Sequence, residues 1–409
     1  MKRWSRWPLL PAALGIGVLA GAVDALFGRV LLWITAFRGE HVWLLLPFLG
    51  LAGMLIVFLY QKMNPRAQKG MGLVFASARD PEEEIPLPLV PLVMVSTWLT
   101  HLFGGSAGRE GVAVQMGAAI GHGLGRRTGR PEWARILLIT GMAAGFSGLF
   151  RTPIAAVLFA LEVLTAGVLE LECLLPALIG SYTACTVSAR LGLEKFAVPV
   201  EAVSVTPALA AKCVLLAALF GLTGGGFAWL LRWGKERCAA LVENPYRRIL
   251  AGGALVSVLS LLCFAGRYSG LGTNLIDLSL KGGAVYGWDF LLKLLFTVLT
   301  LSVGFQGGEV TPLFSMGAAL GAAAAPLLGV PVPLAAALGY AAVFGGATNT
   351  LLAPAVIGCE VFGCGNLPLF FLTCAVAYVC SGDWCIYTAQ EVLRWENRSF
   401  LKNGREKPE

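Results

Sequence analysis

The stretch GGSAGREGVAVQMGAAIG, residues 104–121, determines how the rest of the chain is interpreted. Arg109 and Glu110 lie in a glycine-rich run, an apolar helical segment follows from about Val112, and both flanks are strongly hydrophobic. A charge at bilayer depth costs at least about 2.5–3.5 kcal/mol on insertion scales, so such a pair is expected to face protein or a water-filled path. Glycines before a helix let its free N–H groups approach an anion, favoured by the helix dipole. The stretch therefore predicts an anion site that the ionised Glu110 carboxylate can itself occupy.

The composition is that of a polytopic membrane protein. The 409 residues are 57% hydrophobic and 13% charged, with mean hydropathy +0.74, which fits no soluble class. The 51 glycines and 21 prolines interrupt the apolar runs. Membranes tolerate broken helices only where the exposed backbone is buried in protein or lines a cavity. A transporter or channel is therefore favoured over a simple bundle of spans.

The basic ends of the chain predict its orientation. The net charge is +7, MKRWSR precedes the first apolar run, and RWENRSFLKNGREKPE closes the chain. The positive-inside rule places both ends in the cytoplasm, so we expect a multi-pass protein of the cytoplasmic (inner) membrane. Basic ends beside a lipid bilayer explain the charge without a nucleic-acid partner. The first apolar run is interpreted as a span rather than a signal peptide, because no A-x-A site follows it and it continues past Trp33.

Further apolar runs predict additional spans. They lie at about 42–60, 87–103, 136–167, 173–191 and 205–233, and a basic, polar link, GKERCAALVENPYRR, follows the last of them. Nearly all ten cysteines fall in apolar stretches without metal-ligand spacing, so we interpret them as packing thiols. No metal or other cofactor is expected.

The chain contains an internal repeat. The block at residues 116–121 recurs at 316–321 and the block at 70–72 recurs at 270–272, both at a shift of 200, while residues 141–162 match 339–360 at a shift of 198. Three blocks in one order indicate a duplication. Duplicated transporters place the substrate site where broken helices from both halves converge. If the halves are inverted, helix N-termini near residues 70–74, 108–112 and 308–312 point at one spot. We expect membrane halves at 1–200 and 201–395, then a short basic cytoplasmic tail at 396–409 without a regulatory domain.

Three motifs resemble those of a known family. GREGVAVQMGAAIG resembles the GREGPxVQ motif of the CLC chloride channels and proton-coupled anion antiporters. GGEVTP resembles that family's GGxFxP motif, and KGMG occupies the place of GSGIP. Their order and spacing agree over nearly the whole chain. The resemblance implies an all-α polytopic membrane fold, an inverted repeat of two helical halves with many short, tilted and broken helices. It also implies a homodimer with one pore in each subunit.

The departures from these motifs point to one branch of the family. Met71 replaces the serine of GSGIP, Val112 replaces the proline after GREG, and Val310 replaces the phenylalanine of GGxFxP. In LFALEV, Val163 stands where chloride/proton exchangers carry an internal proton-transfer glutamate, and Glu162 falls one place early. This set resembles the CLC-F branch, which exports fluoride in exchange for protons. We therefore expect a fluoride/proton antiporter that gives fluoride resistance.

Two other function classes stay open at this stage. The first is the same scaffold working on chloride, as a chloride/proton exchanger or a CLC-type channel. Met71 and Val163 argue against the chloride exchanger, and the intact Glu110 argues against the channel, although some family channels keep that glutamate. The second is an intramembrane enzyme. It is disfavoured because the sequence has no HExxH or GxSxG motif and only three histidines.

The resemblance assigns roles to individual residues. Glu110 is the gating glutamate, which competes with the anion when ionised and carries the proton when neutral. Met71 removes a hydroxyl donor that would favour chloride, since a thioether cannot donate a hydrogen bond. Tyr387, in DWCIYTAQ, aligns with a tyrosine whose hydroxyl helps form the central anion site; an interfacial aromatic residue is the alternative. Thr311 either donates to the ion or caps its helix. The expected fixed donors are the backbone N–H groups of Gly111, Val112, Glu309 and Val310.

Four charged residues allow more than one interpretation. For Glu110 the alternative is a buried ion pair with Arg109. Glu162 occupies a position equivalent to Glu360 in the repeat, and we favour a structural role or a place at the cytoplasmic end for it over a proton relay. Lys293 and Arg151 either raise the local positive potential or simply snorkel or pair.

Overall fold

The computed structural model describes residues 7–63, 65–80 and 82–392, and these residues are mostly helical. The basic tail expected at 396–409 and the first six residues lie outside the described part. The helices of the first half are α1 (Leu9–Glu40), α2 (Val42–Leu45), α3 (Leu49–Met63), α4 (Met71–Arg79), α5 (Leu89–Leu102), α6 (Glu110–Arg126), α7 (Pro131–Phe150), α8 (Pro153–Glu162) and α9 (Leu174–Arg190). Those of the second half are α10 (Pro207–Leu241), α11 (Pro245–Leu262), α12 (Thr273–Lys281), α13 (Asp289–Ser302), α14 (Val310–Leu328), α15 (Val332–Thr348), α16 (Leu352–Phe362) and α17 (Leu367–Cys380).

Among the described residues, every helix of the first half except α2 has a counterpart in the second half. The long α1 corresponds to α10, and α3 corresponds to α11. Helices α5 and α13 begin 200 residues apart, as do α6 and α14. Two short strands, β1 (Thr165–Ala166) and β2 (Glu391–Val392), pair in parallel. Short 3₁₀ helices occupy Leu46–Phe48, Pro65–Lys69, Leu171–Cys173 and Cys364–Asn366.

The halves are inverted with respect to each other. Gly108 and Gly308, equivalent residues of the repeat, form an antiparallel bridge in which each N–H donates to the other's carbonyl; the bond from Gly308 measures 2.8 Å. Equivalent residues can pair antiparallel only when the two segments run in opposite directions. The expected inverted-repeat fold is therefore confirmed.

A second pair of equivalent residues joins the halves. The Glu162 carboxylate, at the end of α8, accepts from the backbone N–H groups of Leu351, Leu352 and Ala353, at 3.3, 3.1 and 2.8 Å. In return, the Glu360 carboxylate on α16 accepts from the first turn of α8, at 3.2 and 2.9 Å. Each carboxylate thus satisfies N–H groups that a helix N-terminus leaves free. This geometry supports the structural role for Glu162.

Glycines bring the helices that carry the site into backbone contact. A Cβ on Gly117 of α6 would lie 2.1 Å from the carbonyl oxygen of Gly141 on α7. In the second half, a Cβ on Gly317 would lie 2.0 Å from the carbonyl oxygen of Gly339. Small residues allow such close approach in membranes, where van der Waals packing is a main source of helix association. The small-residue blocks of the repeat therefore hold α6 and α14 firmly in place.

Six helical segments in the described part of the chain are long and apolar enough to cross a bilayer. They are Leu9–Glu40, Val42–Met63, Pro131–Phe150, Leu171–Arg190, Pro207–Leu241 and Val310–Leu328. The run expected at 136–167 is not one span, because Arg151 adopts a left-handed backbone (φ 58°) and Pro153 starts a new helix. The span expected to end near 233 continues as α10 to Leu241, so the first part of the link is helical. Its Lys, Glu, Arg and Ala residues are good helix formers.

Candidate functional site

Three helix N-termini form the part of the molecule that we call the aperture. It is defined by Met71, Glu110 and Val310, the first residues of α4, α6 and α14. The two loops before α6 and α14 are held together by the bridge between Gly108 and Gly308. Each helix start presents N–H groups without an intrahelical partner, together with the positive end of its dipole. The aperture therefore favours an anion, as the sequence predicts.

The Glu110 carboxylate lies at the start of the helix from the opposite half. Its Oε2 accepts from the backbone N–H of Thr311 at 3.1 Å and from the Thr311 hydroxyl, which makes a shorter contact. The backbone N–H of Arg109 donates to the same oxygen at 3.3 Å. The side chain is buried, with 1% exposed. A carboxylate on a helix N-terminus takes the position that a bound anion would take.

Arg109 also contacts the Glu110 carboxylate. Its Nε lies 3.5 Å from Oε1 of Glu110, so the alternative of an ion pair is present in the structure. The pairing is incomplete, because Nη1 of Arg109 is buried without a hydrogen-bond partner among the described residues. The two better-aligned donors to the carboxylate come from Thr311. Glu110 is therefore held mainly by the α14 tip, with Arg109 as an additional cation.

A cavity of about 370 Å³ adjoins the aperture. Gly70, Met71, Glu309 and Tyr387 line it where it meets the helix starts. Its lining also includes the polar residues Tyr60, Gln68, Gln115 and Gln306 and the cations Lys69, Lys235 and Arg248. Clefts lined by positive charge concentrate anions. The wall of this cavity therefore carries cations next to the aperture.

Met71 and Tyr387 face this cavity together. Met71 is 8% and Tyr387 5% exposed. The Tyr387 ring packs against Phe75 and Phe159, with centroids 5.4 and 6.4 Å apart, and its hydroxyl is buried without a hydrogen-bond partner among the described residues. A buried hydroxyl lacking a partner is costly, so an anion at this point would satisfy it. The thioether of Met71 offers no donor beside it.

The other expected donors lie in the first turns of α6 and α14. Gly111 and Val112 follow Glu110 directly, and Val310 is 1% exposed at the start of α14. Gly111 packs against the opposite loop: a Cβ on it would lie 3.5 Å from Cα of Gly308. Thr311 donates its hydroxyl proton to the Glu110 carboxylate and does not cap α14. The N-cap residue of α14 is Glu309, and its side chain makes no capping hydrogen bond.

Glu309 has a side-chain position that its sequence context did not reveal. The sequence predicts only its backbone N–H as a donor. In the structure its side chain is 15% exposed, lines the cavity and lies 3.8 Å from Nζ of Lys235. Its Oε2 would also lie 3.8 Å from a Cβ on Gly111, next to Glu110 in the chain. A second carboxylate, that of Glu309, therefore lies close to Glu110 on the cavity side. Its place in the GGEVTP motif, where the family motif allows any residue, is the only signal in the sequence.

Known proteins match both the sequence and the fold. A family model described as voltage gated chloride channel matches residues 52–382. A chloride/fluoride channel protein of Pseudomonas syringae pv. tomato is 38% identical over 392 residues, covering 92% of this chain and 85% of that protein. An H(+)/Cl(-) exchange transporter of Cronobacter sakazakii is 30% identical over 339 residues, covering 75% and 70%.

Solved structures share the whole architecture. The crystal structure of a CLC-type fluoride/proton antiporter superposes with a TM-score of 0.94 at 50% identity, covering 96% of this chain and 100% of that one. A slow cyanobacterial Cl-/H+ antiporter superposes with a TM-score of 0.81 at 21% identity, covering 97% and 99%, which shows a common fold.

Proposed function

Since the chain belongs to the voltage-gated chloride channel family, we propose that it is a secondary transporter that exchanges fluoride for protons. The observation that carries the proposal is the Glu110 carboxylate on the N-terminus of α14, where its Oε2 accepts from the N–H and hydroxyl of Thr311. The names of two relatives support fluoride: one is a chloride/fluoride channel protein and the other a CLC-type fluoride/proton antiporter. Fluoride export of this kind would give fluoride resistance.

The exchange follows from competition at the α14 tip. When ionised, the Glu110 carboxylate accepts the two Thr311 donors and keeps an anion away from them. A protonated carboxyl is a weaker acceptor and has no charge for the helix dipole to attract, so it leaves and fluoride takes the donors. The arriving anion favours the neutral form of Glu110 because two adjacent negative charges repel each other. Proton binding and anion binding at this point are therefore linked.

On the cavity side, we assign the proton to Glu309. Its carboxylate is near Gly111, faces the cavity and is paired with Lys235 at 3.8 Å. It can therefore receive a proton from the cavity while anions travel past the three cations that line the wall. Selectivity is assigned to Met71, which withholds a donor, and to the backbone N–H groups of Gly111, Val112 and Val310. On the cavity side, the Tyr387 hydroxyl adds a donor to those of Thr311.

Chloride is the second candidate substrate, with the channel as the non-coupled form of the same scaffold. It is supported by the chloride named for the relatives and by the Tyr387 hydroxyl, which has no partner among the described residues and suits a large halide as well. With cytoplasmic termini, α1 runs outward and α3 returns, so the cavity beside Lys69 opens to the cytoplasm. We place the protein in the cytoplasmic membrane as a homodimer, one pore per subunit, as in its family.

Efflux from liposomes tests both candidates. Purified protein is reconstituted with fluoride or chloride inside, and the external halide and pH are recorded together. A fluoride/proton exchanger releases fluoride and takes up protons in fixed proportion, with slow chloride release. Faster proton-coupled chloride release identifies the chloride exchanger, whereas anion release without proton movement identifies a channel and refutes exchange.

A further inference from the structure

Lys293 is a fully buried cation outside the site described so far. It lies in α13 with 0% of its surface exposed, so it does not snorkel. Its ammonium donates to the Ser106 hydroxyl at 2.9 Å and to the carbonyl oxygens of Tyr268 and Gly270 at 3.0 and 2.7 Å. Within the described residues no carboxylate forms an ion pair with it: Asp289, one turn earlier, is bound by Arg267 at 2.7 Å.

The hydrogen-bond pattern around Lys293 fits the charged form. Thr297 donates its hydroxyl to the carbonyl of Lys293 at 2.8 Å, and its single proton is thereby used. The Ser106 hydroxyl, 2.9 Å from the Thr297 oxygen, is then the donor in that pair. With Ser106 and the two carbonyls as acceptors, Nζ makes three contacts, which matches the three N–H donors of an ammonium group.

These contacts hold the loop that leads to the gate. The gate loop, residues 104–109, includes Ser106 and ends immediately before Glu110. It is also bound by Thr300, which accepts from the N–H of Ser106 at 3.2 Å, and by Gly270, which donates to the carbonyl of Gly105 at 3.0 Å. Lys293 therefore links the gate loop of one half to the turn before α12 of the other.

The repeat shows that Lys293 is an asymmetry between two equivalent places. Its counterpart at the shift of 200 is Val93, a buried apolar residue. Gly70 lines the open cavity, whereas its counterpart Gly270 faces cations: a Cβ there would lie 2.6 Å from Nη2 of Arg38. Arg38, itself 7% exposed, donates to the carbonyl of His101 at 2.6 Å. Where the first half has a cavity, the second half thus has two buried cations beside the gate loop.

We propose that Lys293 is a positioning residue for the gate, an inference that rests on the proposed exchange function. Its ammonium fixes the gate loop and thereby the place at which the Glu110 carboxylate meets the α14 tip. Its uncompensated charge also attracts the anion that alternates with this carboxylate. Lys293 does not touch the anion: it acts on Glu110 through Ser106 and the gate loop, and on the anion through its charge alone.

Liposome exchange by Lys293→Met tests the proposal, with Lys281→Met, an exposed lysine on α12, as the matched control. Wild type is measured first, and a wild type without coupled exchange refutes the proposed function itself. With a coupled wild type, we expect Lys293→Met to lower the protons moved per halide at least twofold and to raise the half-saturating halide concentration several-fold. Lys281→Met should match wild type.

A purely structural lysine would behave differently. Lys293→Met would then reduce yield and melting temperature, but the protein that folds would keep the wild-type proton-to-halide ratio, and that result overturns the proposal. If Lys293→Met does not fold, Ser106→Ala decides, because it removes one acceptor of the ammonium and leaves the charge. We expect a smaller fall in the ratio and faster amide exchange in residues 104–111; an unchanged ratio refutes the positioning role.

Discussion

Replacement of Glu110 by glutamine should separate anion movement from proton movement in the proposed exchange. Glutamine keeps the shape and one acceptor oxygen but has no ionised form. The Thr311 N–H and hydroxyl both donate to Oε2 of Glu110. A hydrogen bond to a charged group contributes about 1 kcal/mol more than a neutral one, so the two bonds together lose about 2 kcal/mol. The side chain should therefore hold the α14 tip about 30-fold less strongly, because each 1.4 kcal/mol is tenfold.

The expected phenotype is anion movement without protons. In liposomes loaded with fluoride, Glu110→Gln should release fluoride while the external pH stays at the level of protein-free vesicles. Glu132→Gln, an exposed glutamate on α7, makes the same chemical change away from the aperture and should retain coupling. Coupled proton uptake by Glu110→Gln at the wild-type ratio would show that another group carries the proton, and the mechanism would be wrong.

Three further changes follow from the geometry. Met71→Ser adds a hydroxyl donor at the cavity end of the aperture, and its hydrogen bond to an anion contributes about 1.5 kcal/mol. The ratio of the fluoride efflux rate to the chloride efflux rate should therefore fall about tenfold. An unchanged ratio would show that Met71 does not determine selectivity. Tyr387→Phe deletes a hydroxyl that has no partner in the described part of the chain, and it should raise the half-saturating fluoride concentration, measured from initial rates, by up to about tenfold. An unchanged concentration would show that the ring serves packing alone. Glu162→Ala leaves three backbone donors at the start of α16 unpaired, so it should lower the free energy of unfolding by about 3 kcal/mol. The loss is measured as a lower melting temperature in detergent, and Glu360→Ala should also lower it. Unchanged melting curves for both variants would contradict the capping.

The sequence predicted the aperture well because its signals are local. Glycine, charge and apolar periodicity place helix starts within a residue or two, and α4, α6 and α14 do begin at Met71, Glu110 and Val310. The repeat predicted that these starts converge, since equivalent segments of inverted halves meet at their common axis. A proline and a left-handed Arg151 broke the span expected at 136–167, a break that hydropathy alone does not register.

Side-chain partners across the halves were beyond prediction. Whether the Glu309 side chain faces the cavity depends on how α14 begins, because Glu309 is the N-cap residue of that helix. Lys293 finds its three acceptors in segments separated from it by up to 187 residues. No periodic pattern encodes contacts of that separation. Thr311 was predicted to donate to the ion or to cap its helix, and in the structure its hydroxyl donates to the opposing Glu110 carboxylate, a partner that neither alternative named.

Glu162 of α8 and Glu360 of α16, each of which binds the start of the other's helix, restrict how the protein can move during transport. Any swing of one half relative to the other would pull both carboxylates off the backbone groups they cover and expose those groups to an apolar surrounding. Unpaired backbone groups in lipid cost several kcal/mol each, so such swinging is strongly opposed. The anion site must then open to the two sides of the membrane in turn through movements of side chains. A covalent tether between α8 and α16 should therefore leave the turnover rate unchanged.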